Sequence, residues 1–426
     1  MIQQFNNIDR VNGELRLPGD KSISHRAVMF ASMAEGESVI YNCSNSDDVL
    51  STVKCFTRLG AEISQESGII RIKGKGFKGF CKPVNELYAG NSGTTARLMS
   101  GILAAQDFSS VITGDESLSK RPMGRIIDPL IEMGARISSA PKGTLPLIIE
   151  PPDNLHPINY KMKVASAQVK SSLILAALHN MEESVLIESE PTRNHTETML
   201  GLPVECKDGI KKIIVSKKYY PRSFKMTVPS DISTASFFIV LALLLEGSEL
   251  RLQNVSLNPT RTGLLNLLTD MGGSISVENE INENGERRGD LLIKSSKLSN
   301  IEIPADIVPN IIDEIPVLSV AGLLAEGNFK IKNAKELRVK ESDRIKSLCH
   351  NFKILGVNVK ESDDGFELSG RIKNVEGILF ESFGDHRIAM AFSVLSIVLK
   401  NGGSVNGFES VAVSNPDFLN QLRSIC

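Results

Sequence analysis

Residues 20–40 read DKSISHRAVMFASMAEGESVI, and the fold is predicted from the pattern of this segment. A polar head runs into a small, apolar stretch, which turns at an acidic residue and a glycine and then enters a β-branched segment. The spacing i, i+4, i+7, i+11 of one helix face is occupied by Ile23, Ala27, Phe30 and Ala34. The pattern predicts a helix with one face in a core, followed by a strand.

The turn before this helix has the glycine, Lys21 and Ser22 of a nucleotide-binding P-loop. In a P-loop, the lysine directly follows the second glycine of G-x-x-x-x-G-K-S, and backbone N–H groups surround the phosphates. Here Asp20 separates Gly19 from Lys21, so a carboxylate stands where the phosphate would bind. The P-loop interpretation therefore fails, although a basic, hydroxyl-rich helix start remains.

The pattern of residues 20–40 occurs six times along the chain. The copies start 71, 75, 65, 82 and 72 residues apart, at Asp20, Asn91, Ser166, Asp231, Asp313 and Asp385. Between them lies a second pattern of helix end, glycine cap and strand, which reads LGAEI at 59, MGARI at 133, LGLPV at 200, MGGSI at 271 and LGVNV at 355. Six similar units in 426 residues predict a mixed α/β protein with two domains of three units each. Packing alone could account for such a repeat.

The composition excludes several classes of function. A net charge of −2 with 23% charged residues gives no sign of a nucleic-acid or anionic-membrane partner. The longest apolar run, residues 237–245, is far shorter than the roughly 20 residues that span a bilayer. No targeting signal is recognisable at the N-terminus, and the six cysteines lie far apart without a C-x-x-C pair. We expect a globular, cytoplasmic protein with reduced thiols.

The polar heads of the copies argue for more than packing. Helix N-termini favour anions, and these heads carry Lys21, Ser22, Arg26, Arg97, Gln168, Lys170, Asp313 and Arg387. Three further segments add Lys120, Arg121 and Arg125, then Arg193 and His195, then Arg338, Lys340, Glu341, Asp343 and Arg344. If the last segment is helical, Lys340 and Arg344 share one face, although a solvated, salt-bridged helix would look the same. Together the segments predict an anion-attracting cleft.

The sequence offers no familiar catalytic or metal motif to fill that cleft. The histidines stand singly, without zinc or iron spacing, and neither G-x-S-x-G nor G-x-G-x-x-G occurs. We therefore expect Lys, Asp and Glu side chains to act on a small, multiply anionic substrate.

Taken together, the segments resemble the 5-enolpyruvylshikimate-3-phosphate (EPSP) synthase family. The match runs in order over essentially the whole chain, through GDKSISHR, GNSGTTAR, KRPMGR, SAQVK, RNHTE, DEIP, RVKESDR and GDHRIAMAF. The resemblance implies a two-domain inside-out barrel of six βαβαββ units, with helices inside and sheets outside. It implies a discontinuous domain of residues 1–19 and 229–426, an inserted domain of residues 20–228, and an active site in the cleft between them.

The resemblance also implies a reaction and its residues. The family transfers the enolpyruvyl group of phosphoenolpyruvate to the 5-hydroxyl of shikimate 3-phosphate in the shikimate pathway of aromatic amino acid biosynthesis. Phosphate leaves by addition and elimination through a tetrahedral intermediate. Shikimate 3-phosphate would be held by Lys21, Ser22, Arg26, Ser166, Ala167, Gln168, Arg193, Asp313 and Lys340. Phosphoenolpyruvate would be held by Lys21, Gly93, Arg121, Gln168, Arg344 and Arg387. Asp313 would be the base, and Glu341 and Lys21 would move the proton at phosphoenolpyruvate. No metal or organic cofactor is implied, and a monomer is expected.

Three positions depart from many members of the family. Ala167 replaces a serine, Glu336 replaces an asparagine, and Val413 lies where some members have a lysine near phosphoenolpyruvate. Two other functions stay open. The sister enzyme that acts on UDP-N-acetylglucosamine has a cysteine in the loop matching residues 114–125, and this loop has none. A non-catalytic binding module would have no need of Lys21, Asp313 and Glu341.

Four local patterns resemble the branch of the family that includes glyphosate-tolerant members. They are GDKS, SAQVK, RNHTE and NVSLNPTR, the last ending at Arg261. One route to tolerance in the family is an alanine at the position of Gly93, which this chain does not use. The expectation is therefore moderate tolerance, arising from residues such as Ala167, Arg193 or Val413.

Overall fold

The computed structural model describes residues 1–66, 68–373 and 376–426. The chain divides into two compact units. The terminal unit contains Met1–Leu17, Ser230–Ile281 and Arg287–Cys426, and the central unit contains Pro18–Pro229 with Asn282–Glu286.

Twenty-two strands and fourteen α-helices are assigned among the described residues. The strands are β1 (Ile2–Phe5), β2 (Asn12–Arg16), β3 (Glu35–Tyr41), β4 (Glu62–Glu66), β5 (Ile69–Lys75), β6 (Leu87–Tyr88), β7 (Ser110–Thr113), β8 (Arg136–Ala140), β9 (Thr144–Glu150), β10 (Asn159–Lys161), β11 (Ser184–Glu188), β12 (Val204–Lys207), β13 (Ile210–Val215), β14 (Lys225–Thr227), β15 (Glu249–Ser256), β16 (Ser274–Glu283), β17 (Glu286–Lys294), β18 (Phe329–Ile331), β19 (Asn358–Ser362), β20 (Gly365–Ser369), β21 (Leu379–Glu381) and β22 (Gly403–Asn406). The α-helices are α1 (Lys21–Met33), α2 (Asp47–Arg58), α3 (Gly93–Leu103), α4 (Glu116–Ser119), α5 (Gly124–Glu132), α6 (Ala167–Ala177), α7 (His195–Leu200), α8 (Ile232–Leu244), α9 (Gly263–Asp270), α10 (Val308–Ile311), α11 (Ile315–Leu324), α12 (Arg344–Ile354), α13 (His386–Val398) and α14 (Phe418–Arg423).

The three sheets of the central unit share one topology. In the central unit their strand orders are β14-β3-β5-β4, β6-β7-β9-β8 and β10-β11-β13-β12, each with one parallel pair followed by two antiparallel pairs. The terminal unit has β16-β17-β15-β2, β18-β20-β19 and β1-β22-β21. Parallel neighbours need a crossover segment, and one helix supplies it in β6-α3-β7, β10-α6-β11 and β21-α13-β22. The six-fold repeat in the sequence is thus a repeat of supersecondary structure.

Each of the six predicted copies forms a helix: α1, α3, α6, α8, α11 and α13. The backbone N–H groups of the first turn are capped in five of them by the side chains of Asp20, Ser92, Ser166, Asp231 and Asp385. In the fifth copy the helix starts at Ile315, and its N-cap residue Glu314 makes no capping hydrogen bond. Asp313, the first residue of this copy, directly precedes that N-cap residue.

The expectation that only one face of α1 is buried is wrong. Every residue from Ile23 to Met33 is buried, and α8 is buried from Ile232 to Leu243. These helices are surrounded by other parts of the protein on all sides, and α1 buries the polar side chains of His25 and Arg26 together with its apolar ones. The strands, by contrast, bury only one face, as in β9, where buried and more exposed residues alternate.

The predicted glycine caps are confirmed. After α2, α5, α7, α9 and α12, the chain turns through a positive φ at Gly60, Gly134, Gly201, Gly272 and Gly356 and then enters the next strand.

A different glycine determines how closely α3 and α6 pack against each other. A Cβ on Gly101 would lie 2.0 Å from the backbone oxygen of Ser172, so only glycine lets these two helices approach so closely.

The segment 336–345 is not one helix, so the predicted shared face of Lys340 and Arg344 does not exist. A 3₁₀ turn covers Lys335–Val339, Lys340 is extended, and α12 starts at Arg344 with Asp343 as its cap.

Within the described residues, no single helix is long and apolar enough to cross a bilayer. One bent pair, Ala305–Ile311 with Ile315–Leu324, reaches the required length only across a 117° bend.

Candidate active site

In the central unit, the start of α1 holds two of the predicted cations. The ammonium of Lys21 lies 3.0 Å from a carboxylate oxygen of Asp48 and is partly exposed. Arg26, one turn further, is buried and donates to the backbone oxygen of Ser22 at 2.9 Å, to Thr196 at 2.7 Å and to Ser171 at 2.9 Å. Burial lowers the pKa of Arg26 to about 10, so the guanidinium is charged at neutral pH.

The starts of α3 and α6 lie side by side and share a polar network. Arg97 donates to the side-chain oxygen of Gln168 at 2.6 Å, and Gln168 donates to Thr94 at 3.0 Å. Gly93 begins α3, and a Cβ placed there would lie 2.9 Å from Arg97 and 3.8 Å from Arg121. The structure therefore groups Gly93, Gln168 and Arg121 around Arg97. Burial and the nearby Arg125 and Arg121 lower the pKa of Arg97 to about 10.

Four other predicted residues of the central unit lie at helix starts. Arg121 donates to Asn91 at 2.7 Å, just before α5. Ser166 caps α6, with Ala167 as the first helical residue. Arg193 is partly buried in the segment between β11 and α7. The resemblance thus names residues from the starts of α1, α3, α6 and α7.

In the terminal unit, Arg344 is fully buried among three carboxylates. It contacts Glu341 at 2.5 Å, Asp385 at 2.8 Å and Asp313 at 3.3 Å. Lys340 lies 3.8 Å from Asp313 and 3.1 Å from Glu336. This arrangement brings Asp313, Lys340, Glu341 and Arg344 together although no continuous helix links them.

The first turn of α13 completes this terminal cluster. Arg387 donates to the backbone oxygen of Asp313 at 2.9 Å and lies 3.7 Å from the buried Glu314. Asp385 caps the same helix through the N–H of Arg387 at 2.9 Å. The two predicted cations Arg344 and Arg387 are therefore each held by acidic residues or carbonyls around Asp313.

Glu341 is ionised in this environment. Burial disfavours its charge, but the charges of Arg344 and His386 outweigh burial and hold the pKa of Glu341 well below its usual range. The same contacts raise the pKa of Arg344, because its carboxylate partners outweigh its burial. Because Glu341 is ionised, its carboxylate must take up a proton before it can donate one.

Sequence reasoning missed several partners that hold these residues. They are Asp48, Asn91, Ser171 and Thr196 in the central unit, with Arg261, Glu314 and Asp385 in the terminal unit. Of the cations suggested by charge runs, Lys120 pairs with the exposed Glu116, Arg125 is exposed in α5, and Arg338 pairs with Asp343 and Glu361. The described residues contain no group of three or more His, Cys, Asp or Glu side chains that could hold a metal ion.

Both clusters suit small anions that carry phosphate and carboxylate groups. Arg guanidinium groups and helix N-termini replace water around such groups, and Arg can bind them in a bidentate manner. Carboxylates stand among these cations at Asp313 and Glu341, where they can exchange protons with a bound molecule. The terminal cluster thus contains both the cations and the carboxylates that acid–base catalysis on a multiply anionic substrate would need.

Comparisons with known proteins agree with this chemistry. A profile described as "EPSP synthase (3-phosphoshikimate 1-carboxyvinyltransferase)" matches residues 5–422. The chain is 45% identical to the 3-phosphoshikimate 1-carboxyvinyltransferase of Petrotoga mobilis, covering 98% of each chain. It is 44% identical to that of Salinibacter ruber, covering 100% of this chain and 99% of the relative.

Solved structures give the same result for the fold. The EPSP synthase of Acinetobacter baumannii superposes with a TM-score of 0.90 at 41% identity, over 100% of this chain and 98% of that one. The enolpyruvyl transferase NikO of Streptomyces tendae shares the fold at 15% identity, with a TM-score of 0.78 over 100% of this chain and 96% of that one. The predicted two-domain α/β fold is confirmed. The chain therefore belongs to the EPSP synthase (3-phosphoshikimate 1-carboxyvinyltransferase) family.

Proposed function

We propose that this chain transfers the enolpyruvyl group of phosphoenolpyruvate to the 5-hydroxyl of shikimate 3-phosphate. In the addition step, the 5-hydroxyl oxygen bonds to C2 of phosphoenolpyruvate and C3 gains a proton. In the elimination step, C3 loses a proton and the bond from C2 to the phosphate oxygen breaks. Phosphate leaves, and the enolpyruvyl group remains as an enol ether on the 5-oxygen of the shikimate ring.

The proposed binding residues come from both units. Shikimate 3-phosphate is bound by Lys21, Ser22, Arg26, Ser166, the backbone of Ala167, Gln168, Arg193, Asp313 and Lys340. Phosphoenolpyruvate is bound by Lys21, Gly93, Arg121, Gln168, Arg344 and Arg387. Each substrate carries a phosphate and a carboxylate, so several cations are needed to replace the water that it loses. We propose that residues of both units contact the same pair of substrates.

Proton transfer is assigned to three side chains. Asp313 takes the proton of the 5-hydroxyl, and it lies within 4 Å of Lys340 and Arg344. Lys21 supplies a proton at C3, because an ammonium group is a donor from the start. Glu341 is bonded to Arg344 before substrate arrives. When phosphoenolpyruvate competes for that guanidinium, the pKa of Glu341 rises, and the side chain can then carry the C3 proton.

The observation that carries the proposal is the pairing of Asp313 and Glu341 with the same buried Arg344. A non-catalytic anion-binding module needs the cations but not these two carboxylates. The test is the release of inorganic phosphate by the purified protein given both substrates, with each omitted in turn. Phosphate that appears only with both substrates supports the proposal. No release, or release from phosphoenolpyruvate alone, contradicts it.

We also propose that the protein is cytoplasmic and monomeric. The cytoplasm is proposed from the composition of the chain, and a monomer is proposed because the reaction as described needs only one chain. Size-exclusion chromatography with light scattering would measure the mass against the 46.4 kDa of one chain.

Gly93→Ala is expected to make the enzyme more tolerant of glyphosate. The new methyl group would lie 2.9 Å from Arg97, which holds Gln168 at 2.6 Å, so it displaces the end of a side chain that organises the phosphoenolpyruvate site. The inhibitor is longer than phosphoenolpyruvate, so we expect its inhibition constant to rise by about tenfold or more, beyond any rise in the phosphoenolpyruvate KM.

Gly124→Ala is the matched control for this experiment. Gly124 begins α5 in the same unit, and a Cβ there would meet no atom within 4 Å. The ratio of the glyphosate inhibition constant to the phosphoenolpyruvate KM should rise in Gly93→Ala and stay at the wild-type value in Gly124→Ala. An unchanged ratio in Gly93→Ala would disprove the steric argument. A wild-type ratio far below one would contradict the tolerant-branch assignment.

A further inference from the structure

A fully buried lysine lies between two buried glutamates in the central unit. The ammonium of Lys170, in α6, is 2.9 Å from Glu188 and 2.7 Å from Glu197, and these side chains are 0%, 3% and 4% exposed. Taking charges out of water costs several kcal/mol per ion unless the geometry is good. Apolar residues of similar volume would fill the same space without that cost. The cluster therefore needs an explanation beyond filling the core.

Glu188 connects this cluster to the segment that carries Arg193. The carboxylate of Glu188, at the end of β11, accepts the backbone N–H of Thr192 at 3.0 Å and its hydroxyl at 2.5 Å. Lys170 bonds to the same oxygen atom of Glu188. The segment 189–194 thus closes back onto Glu188, and Arg193 directly follows the residue that Glu188 holds.

Glu197 connects the cluster to Arg26. Its neighbour Thr196 accepts a hydrogen bond from Arg26 at 2.7 Å, and Ser171, next to Lys170, accepts another at 2.9 Å. The second carboxylate oxygen of Glu197 is buried with no hydrogen-bond partner among the described residues. Its negative charge opposes the loss of charge on the buried Arg26. Lys170 and Arg26 thus tie α6 to α7 at adjacent positions.

We infer that Lys170, Glu188 and Glu197 form a positioning cluster that fixes Arg193 and Arg26 for binding shikimate 3-phosphate. The inference rests on the proposed function, in which these two arginines bind that substrate. Lys170 touches no substrate itself. It fixes the two glutamates, and they fix the segment 189–194 and the contact between α6 and α7.

Thr192→Val tests the cluster without disturbing the buried charges. The change removes one hydroxyl bond to Glu188 and keeps the shape of the side chain and the backbone N–H bond. A hydrogen bond to a charged group is worth about 1.5–3 kcal/mol, which is about tenfold or more in affinity. We expect the shikimate 3-phosphate KM to rise by about tenfold. The phosphoenolpyruvate KM and kcat should stay close to the wild-type values, and the midpoint of thermal unfolding should fall by only a few degrees, as the loss of one such bond implies.

Three further variants separate positioning from a general structural effect. Thr192→Ser restores the hydroxyl and should restore the wild-type KM. Thr198→Val makes the same exchange in α7 at a side chain with no hydrogen bond among the described residues, and should leave both KM values unchanged. In Glu188→Gln, Lys170 keeps Glu197 as its buried partner, so no buried charge is left unpaired, and the shikimate 3-phosphate KM should rise because the charged acceptor of Thr192 is lost.

The failures of the two proposals are distinguishable. If the wild type releases no phosphate from the two substrates, the proposed function is wrong. The positioning inference is overturned if the wild type is active and Thr192→Val keeps the wild-type shikimate 3-phosphate KM. It is also overturned if both KM values, kcat and the unfolding midpoint change together, because that result indicates only a weakened fold.

Discussion

Asp313→Ala is expected to lower kcat by about 100-fold or more, the usual contribution of a positioned acid or base. The Asp313 carboxylate lies directly before α11 and stands within 4 Å of the cationic groups of Lys340 and Arg344. Without it, no neighbouring group is assigned to take the proton of the attacking hydroxyl. Steady-state phosphate release at saturating substrates measures the loss.

Asp313→Asn is the sharper version of this experiment. The amide oxygen can still accept a hydrogen bond from Arg344, but the side chain no longer takes up a proton at neutral pH. A base role predicts the same loss of kcat in Asp313→Asn and Asp313→Ala. Glu336→Gln, at an exposed partner of Lys340, is the control and should change kcat little. A near-normal kcat in Asp313→Asn would rule out the base.

A comparable loss is expected for Glu341→Ala, with a different pattern in binding. Glu341 is assigned to the proton at phosphoenolpyruvate, so its removal should spare the affinity for shikimate 3-phosphate while kcat falls by about 100-fold. Isothermal titration with shikimate 3-phosphate alone, beside the kinetics, separates the two effects. A parallel loss of affinity would show that Glu341 acts in substrate binding instead.

The second large effect is on stability. Arg344→Met is expected to lower the free energy of unfolding by about 3–5 kcal/mol, because removing one partner of a buried ion pair leaves a buried charge uncompensated. Arg344 and Asp385 are both fully buried and lie 2.8 Å apart. For a unit of roughly 200 residues, this should lower the midpoint of thermal unfolding by on the order of 10 °C. Circular dichroism during heating measures the midpoint.

The double variant Arg344→Met/Asp385→Asn should regain part of this loss. An asparagine at position 385 carries no charge but can still cap α13, where Asp385 now accepts the N–H of Arg387. Recovery in the double variant would assign the loss to the unpaired carboxylate. A single Arg344→Met variant as stable as the wild type would contradict this account of the terminal cluster.

The helix starts could be predicted from the sequence because their signal is local. A capping side chain, a small apolar stretch and a glycine turn lie within about twenty residues, and six copies reinforce one another. The same locality explains the error at residues 336–345. Asp343 is a strong N-cap, and it starts α12 at Arg344, so the charges before it lie outside the helix. The alternation of charges alone does not reveal where a helix begins.

The partners of the site residues could not be predicted in this way. Arg26 bonds to Thr196, which lies 170 residues away, and Arg344 bonds to Asp385, 41 residues away. A threonine or serine in a helix gives no sequence signal that it will accept a bond from a distant arginine. The burial of α1 on all sides was missed for a related reason, since burial depends on neighbours that only the fold supplies.

The most direct test of the central claim measures shikimate 3-phosphate affinity in variants of the two units. Arg26→Met changes the central unit and Lys340→Met changes the terminal unit, and isothermal titration gives the Kd of each and of the double variant. Because both cations are assigned to one ligand, each single variant is expected to weaken binding by about tenfold or more. A wild-type Kd in Lys340→Met, with weakened binding in Arg26→Met alone, would show that only the central unit binds this substrate and would contradict the account.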